Sequence, residues 1–321
     1  FIVSNSTIWR IHGQTISTAL PDAELIQIPD GERFKTLHTV SRIYESLIRA
    51  GADRQAVLVA VGGGIVGDVA GFAAATFLRG ITILHVPTTL LAQVDSAIGG
   101  KVGVNHTLGK NLIGAFYPPA SVLIDPELLT TLPRREFRAG LYEVIKYGMI
   151  ANRDLFERVE RDLSALFDHN QTALQPIIAE CCQIKGSIVE TDEREAGLRR
   201  ILNFGHTVGH AIEAVTKYRR FKHGEAVGYG MLAAADIAER RRTLAPESRK
   251  ALSELITKLG PMPSVADLSS KQVIDTINRD KKIKEGKLHF VLPTSIGTAI
   301  VVDDITTRQI NAALKRLGLR P

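Results

Sequence analysis

Short runs of β-branched and aliphatic residues alternate with helical spacings through the first 125 residues. Leu25–Ile28, Val57–Val61, Ile81–Val86 and Val122–Ile124 read as strands, and Leu37–Arg49 repeats its apolar positions at three- and four-residue intervals, as one helix face does. Strands separated by helices cross over rather than fold back as hairpins, so the pattern predicts an open parallel sheet covered by helices. The expected fold is an α/β, Rossmann-like N-terminal domain.

After Asp125-Pro126 the pattern changes. Glu136–Met149, Leu174–Glu190, His206–Val215, Gly224–Arg240 and Arg249–Leu259 all carry a helical period, and a β pair, His289–Leu292 and Ala299–Val302, flanks the turn residues Pro293 to Gly297. Two domains are expected: an α/β domain over residues 1–125 and a mainly α-helical domain over 126–321. No internal repeat or low-complexity stretch interrupts them.

Composition narrows the class. With 321 residues, 45% of them hydrophobic, the chain can bury a full core. It has no apolar run of about eighteen residues and no signal-peptide pattern after Phe1, so the expected location is the cytoplasm. Because the first residue is Phe rather than Met, a preceding native segment is also expected. Cys181 and Cys182 are adjacent in a helical pattern, which argues for packing rather than a disulfide or a zinc finger. The net charge of +6 is spread along the chain rather than clustered in an aromatic-studded stripe, so a nucleic-acid surface is not called for and a small anionic substrate explains the charge equally well.

Five groups of residues carry candidate chemistry. Gly62-Gly63-Gly64-Ile65-Val66-Gly67-Asp68 follows a strand and opens a helix, where glycines let a pyrophosphate approach helix N-terminal amides; the spacing differs from G-x-G-x-x-G, and a plain packing turn is the bland alternative. Asp30-Gly31-Glu32-Arg33-Phe34-Lys35-Thr36, after an earlier strand, offers acids to a ribose hydroxyl or adenine edge, against the alternative of a solvated loop. His206 and His210 stand four apart on one helix and His223 opens the next, so three imidazoles can converge on a divalent metal. Glu143 and Lys146 share a helix face; an exposed ion pair is the bland reading. Lys185 lies in the apolar stripe Ile178, Cys181, Cys182, Ile188, Val189, so its charge points inward and calls for an anionic partner.

Taken together, these pieces resemble the 3-dehydroquinate synthase family of sugar phosphate cyclases from about Asp30 to Leu292. The resemblance rests on Gly62-Gly63-Gly64 through Asp68, Phe77-Leu78-Arg79-Gly80, Pro87-Thr88-Thr89 through Asp95-Ser96, Gly99-Gly100-Lys101, Gly109-Lys110-Asn111, Glu143-Val144-Ile145-Lys146, Leu202-Asn203-Phe204-Gly205-His206-Thr207-Val208-Gly209-His210 and His223-Gly224-Glu225. It implies Glu143, His206 and His223 as ligands of zinc or cobalt, with His210 as an unligated catalytic residue. Asn203, Lys146, Lys185, Arg79 and Asn111 are implied in catalysis, and Asp95, Lys101, Arg199 and Lys281 or Lys282 in substrate binding, with Arg79 and Lys101 near the phosphate. For NAD it implies Glu32, Lys35, Gly62, Gly63, Gly64, Asp68, Thr88, Thr89, Lys110 and Thr131. The family commonly has Asp-x-Asn after the first strand, where this chain reads Asn5-Ser6-Thr7.

The implied activity is conversion of 3-deoxy-D-arabino-heptulosonate 7-phosphate to 3-dehydroquinate and phosphate in the shikimate route to aromatic amino acids, by a homodimer. Two enzymatic rivals share these features: another sugar phosphate cyclase, and a metal-dependent NAD polyol or alcohol dehydrogenase whose chemistry stops after hydride transfer. A basic nucleic-acid-binding module that only keeps the fold is the rival from another class.

Overall fold

The computed structural model describes every residue except Ala196 and residues 284–287, and residues 280–283 in backbone only. It falls into two compact units, Phe1–Phe137 with Leu174–Gly186, and Arg138–Ala173 with Ser187–Pro321.

In chain order the first unit contains β1 (Ile2–Asn5), α1 (Ser6–Ala19), β2 (Leu25–Ile28), α2 (Leu37–Arg49), β3 (Val57–Gly62), α3 (Gly64–Thr76), β4 (Thr82–Pro87), β5 (Lys101–His106), β6 (Gly109–Phe116) and β7 (Ser121–Val122). Five strands form one sheet in the order β2-β1-β3-β4-β7, with every neighbouring pair parallel. Parallel sheets bury both faces, which is why β1 is buried along its whole length and β3 is both apolar and buried beyond Val57. On one face Val3, Leu58 and Ala60 pack with Ile43, Leu47 and Val69 of α2 and α3. On the other, Ile2, Val59 and Val61 meet Ile8, Trp9 and Ile16 of α1. The chain leaves β1 in one direction for β2 and returns on its other side for β3, so the sheet has its switch point between β1 and β3. At such points an open α/β sheet offers a crevice at the carboxyl ends of its strands. Asn5 ends β1 there and Gly62 ends β3. The antiparallel pair β5–β6 forms a separate two-stranded sheet.

The second unit is mainly helical: α4 (Arg134–Ala151, whose first turn belongs to the first unit), α5 (Arg153–Phe167), α6 (Gln171–Thr191, its middle counted with the first unit), α7 (His206–Val215), α8 (His223–Arg240), α9 (Pro246–Lys258), α10 (Ser270–Ile283) and α11 (Thr307–Arg316), with the antiparallel pair β8 (Phe290–Ser295) and β9 (Thr298–Val302). From Ala139 to Ile150 α4 is buried on every side. Helix α7 begins at Gly205, whose φ of +80° only glycine adopts without strain. A Cβ on Gly230 of α8 would lie 1.8 Å from the Gly205 carbonyl oxygen, so α7 and α8 are in backbone contact where α7 starts. No helix among the described residues is long and apolar enough to cross a membrane. Cys181 and Cys182 are in no disulfide among the described residues; the first is buried and the second donates to the Gln93 carbonyl.

Candidate active site

The glycine turn of the first unit is built for close approach. Cβ atoms on Gly62, Gly63 and Gly64 would lie 2.6 Å from Val66 Cγ2, 3.0 Å from Thr89 Cγ2 and 2.9 Å from Ser96 Oγ. Packing alone therefore explains the three glycines. The hydroxyls around them go further: Thr88 Oγ1 and Ser96 Oγ are buried without a hydrogen-bond partner among the described residues, although buried polar atoms are rarely left so. Two orphaned hydroxyls beside a helix N-terminus, at a switch point, make a cradle that fits the phosphates of a dinucleotide.

Beside this turn runs a polar network. Lys35, 5% exposed, pairs with the Asp68 carboxylate and donates to Asn111 Oδ1 at 2.5 Å. Burial pushes the Asp68 carboxyl above its ordinary range, with Lys35 opposing. Glu32 lies 3.2 Å from Lys110 Nζ and accepts from Asn105 Nδ2 at 2.8 Å. Burial works to raise the Glu32 carboxyl, but Lys110, the Asn105 hydrogen bond and Lys35 together outweigh it and hold it below its usual range. Asp95 is gripped by Lys185, which bonds both its carboxylate and, at 2.7 Å, its main-chain oxygen. Lys185 is 7% exposed, so the inward lysine has the anionic partner its surroundings called for.

Thr131 Oγ1 sits 3.1 Å from His12 Nε2, in a pair that the sequence pattern does not announce. Asn5 caps α1 and donates to Asp30, which Thr7 also bonds, so Asn5-Ser6-Thr7 anchors that acid. Lys101 is exposed at the start of β5. Arg79 is exposed, with a left-handed φ of 67°.

In the second unit, Glu143 is fully buried at the centre of α4. Its Oε2 lies 2.5 Å from Lys146 Nζ, and Lys146 is itself 1% exposed. The pair is thus a core feature, not the exposed helix pair that spacing alone allows. Glu143 Oε1 has no hydrogen bond among the described residues, yet His206 Nε2 and His223 Nε2 face it at 3.7 and 3.6 Å. The far side of each ring is engaged: His206 Nδ1 is 3.1 Å from the Phe204 carbonyl oxygen, and His223 Nδ1 is 3.1 Å from Glu213 Oε2. Acceptors on Nδ1 put the proton there and leave Nε2 as a lone-pair donor.

His210 joins the same group, with ligand atoms of His206, His210 and His223 all within 4.8 Å of one another. A buried carboxylate oxygen without a donor, beside deprotonated imidazole nitrogens, is a set that a divalent cation satisfies. Close by in sequence, Arg199 is 2% exposed and donates to the Glu193 carbonyl, while Asn203 Nδ2 donates to Glu195 Oε1 at 2.5 Å.

The structure therefore gathers ten of the expected residues into two groups, each within one unit: Glu32, Lys35, Asp68, Lys110 and Asn111 in the first, and Glu143, Lys146, His206, His210 and His223 in the second. The side chains of Lys281 and Lys282 lie outside what the structure describes. Asn105, Glu195 and Glu213 were not expected; each shows itself only through the partner it holds.

Two family descriptions match the chain in succession, 3-dehydroquinate synthase N-terminal over residues 25–139 and 3-dehydroquinate synthase C-terminal over 140–283. A 3-dehydroquinate synthase of Nostoc sp. strain PCC 7120 is 47% identical over 98% of this chain and 89% of its own length. That of Geobacter metallireducens is 47% identical over 94% of this chain and 85% of its own. Among solved structures, 2-epi-5-epi-valiolone synthase from Streptomyces hygroscopicus subsp. jinggangensis 5008, with NAD+ and Zn2+ bound, superposes with a TM-score of 0.90 at 29% identity, covering 98% of this chain and 89% of that one. A glycerol dehydrogenase from Schizosaccharomyces pombe reaches a TM-score of 0.67 at 16% identity over 99% of this chain and 82% of its own, which is a likeness of fold alone. Continuous matches over both units, at the motifs that hold the buried cluster and the glycine turn, leave one conclusion: the chain belongs to the 3-dehydroquinate synthase family.

Proposed function

We propose that this chain converts 3-deoxy-D-arabino-heptulosonate 7-phosphate to 3-dehydroquinate and phosphate, using NAD and one zinc or cobalt ion. The observation that carries the reading is the fully buried Glu143, whose unshared Oε1 faces two imidazole Nε2 atoms in a chain matched throughout by 3-dehydroquinate synthases.

Glu143, His206 and His223 hold the metal, and the first unit's glycine turn, with Thr88, Thr89, Asp68, Glu32, Lys35, Lys110 and Thr131, holds NAD. When bound, NAD supplies a hydride acceptor that is regenerated within the turnover, and the metal supplies Lewis-acid polarisation of the substrate alcohol. The remaining work falls to side chains. His210 and Asn203 handle the proton at the C5 oxygen, with Glu195 accepting from Asn203. A ketone at C5 acidifies the C6 hydrogen, and phosphate then departs by β-elimination. Arg79 and Lys101 meet the phosphate with positive charge, while Asp95, Asn111, Lys146, Lys185, Arg199 and one of Lys281 and Lys282 serve the rest of the substrate. After the C5 alcohol is restored and the ring opens, the enol closes on the ketone as an intramolecular aldol. The first unit acts as the NAD domain and the second as the metal domain, and a homodimer belongs to the same reading.

Purified protein incubated with the heptulosonate phosphate, NAD and a divalent metal should release phosphate steadily while net NADH stays near zero. NADH that accumulates in step with turnover would make the chain a dehydrogenase. No phosphate from this sugar, but release from another heptulose or hexose phosphate, would make it a different cyclase.

A further inference from the structure

The hairpin β5–β6 meets the turn after β2 through one residue to which no role attaches so far. Asn105 sits where the β5–β6 register shifts, between Val104 and His106. Three of its polar groups reach across. Its main-chain N–H donates to the Lys35 carbonyl oxygen at 2.8 Å. Its side-chain Nδ2 donates to Glu32 Oε1 at 2.8 Å, and its Oδ1 accepts from the Asn111 main-chain N–H at 3.0 Å.

The two targets of the side chain are unusual in different ways. Glu32 is a carboxylate whose ionised form is favoured by Lys110 and by this same hydrogen bond. Asn111 holds a φ of +53°, a sparsely populated left-handed conformation that Asn adopts more readily than other non-glycine residues. The side chain of the same residue accepts from Lys35 Nζ through Oδ1.

We propose that Asn105 is a positioning residue that serves both halves of the first unit's network: its amide N–H₂ sets the Glu32 carboxylate for NAD, and its amide oxygen sets Asn111 for the substrate. The inference rests on the function proposed above, since it takes Glu32 to NAD and Asn111 to the sugar. The register shift is where this happens: Asn105 and Asn111 have no Cα partner in the β5–β6 register, and the Asn105 amide oxygen takes the Asn111 N–H there.

The two contacts separate by substitution. Asn105→Ala removes both, whereas Asn105→Asp keeps an acceptor for the Asn111 N–H and turns a negative charge on Glu32. Two quantities are read on the purified full chain with its metal: the NAD+ dissociation constant by titration calorimetry, and the KM for the heptulosonate phosphate at saturating NAD+ by phosphate release. Asn105→Ala should weaken NAD+ binding about tenfold and raise the substrate KM about tenfold, as loss of a hydrogen bond to a charged group and release of a strained loop would. Asn105→Asp should weaken NAD+ binding at least as much, yet leave the substrate KM within about threefold of wild type.

Equal losses of both quantities in the two variants would mean that Asn105 only keeps the hairpin folded, and the proposal fails. It fails also if NAD+ affinity in Asn105→Asp matches wild type. Should Asn105→Ala not fold, the split between the two readouts in Asn105→Asp decides alone. Wild-type protein that neither binds NAD+ nor releases phosphate would instead sink the proposed function, so the two failures are distinguishable.

Discussion

At the scale of residues, the second unit's cluster turns on which imidazole does what. His206 and His210 lie one helical turn apart, and spacing cannot separate them. Geometry adds a difference: His206 and His223 each face Glu143 through Nε2 with Nδ1 engaged. His206→Ala should strip the metal, whereas His210→Ala should keep about one ion per chain and lower turnover by about 10² to 10⁴ through lost proton transfer. Elemental analysis of the two purified variants checks this, and metal lost from His210→Ala but kept in His206→Ala would redraw the ligand set around His210 and His223. Glu213 belongs to the same scale. Removing the carboxylate that orients a metal-bound histidine costs about 10- to 100-fold in affinity, so Glu213→Ala should weaken zinc by that factor in a chelator competition.

His85 offers a separate test of burial. Desolvation lowers its pKa to about 4, so the unfolded chain takes up a proton from about pH 6.5 downward while the folded chain does not. Stability from keeping His85 neutral is therefore complete above pH 6.5 and is lost as pH falls toward 4, by up to about 3 kcal/mol at about 1.4 kcal/mol per pKa unit. A His85→Gln variant should show a shallower fall in thermal midpoint over that window.

At the scale of elements, strands and helices with strong periods were legible. Leu25–Ile28, Leu37–Arg49 and His206–Val215 stand where the pattern puts them, and the β pair near the end forms a hairpin, though Pro293 lies in β8 rather than in the turn. The β5–β6 hairpin was not legible. Its strands meet backbone to backbone at Gly103 and Gly114, where a Cβ would lie 2.6 Å from the Ile113 oxygen and 2.4 Å from the Val102 oxygen, and paired glycines carry none of the β-branched signature of a strand. The strand β1 is only four residues long, and α5 was passed over although Leu155, Phe156, Val159 and Leu166 follow a helical period. Glycine also sets the α7–α8 contact. Gly230→Ala would place a methyl 1.8 Å from the Gly205 oxygen, and the two helices must part at the end of α7 that bears His206. We expect a loss of about 1 to 3 kcal/mol in stability and weaker metal retention, read by denaturant unfolding and metal analysis; a variant with wild-type values for both would show that the helices yield freely there.

At the scale of the whole chain, family motifs point to residue types and positions, while the reason for each position comes from burial that sequence does not display. Glu143 is the case in point: beside Lys146 on one helix it reads as an ordinary exposed pair, and its complete burial, with one oxygen left to two imidazoles, is what supports the metal-binding role proposed for it. Burial of that kind has a thermodynamic consequence. An ion that binds only the folded chain stabilises it by RT ln(1 + [M]/Kd), about 2.7 kcal/mol at a hundred times Kd. Without the ion, Oε1 keeps its desolvation penalty uncompensated, so chelation should lower the thermal midpoint and returned zinc should restore it. The shift should persist in His210→Ala and vanish in His206→Ala and Glu143→Gln. Differential scanning fluorimetry with and without chelator reads this without any turnover, and equal midpoints with and without metal in the wild-type chain would remove Glu143 and its two imidazoles as the binding set.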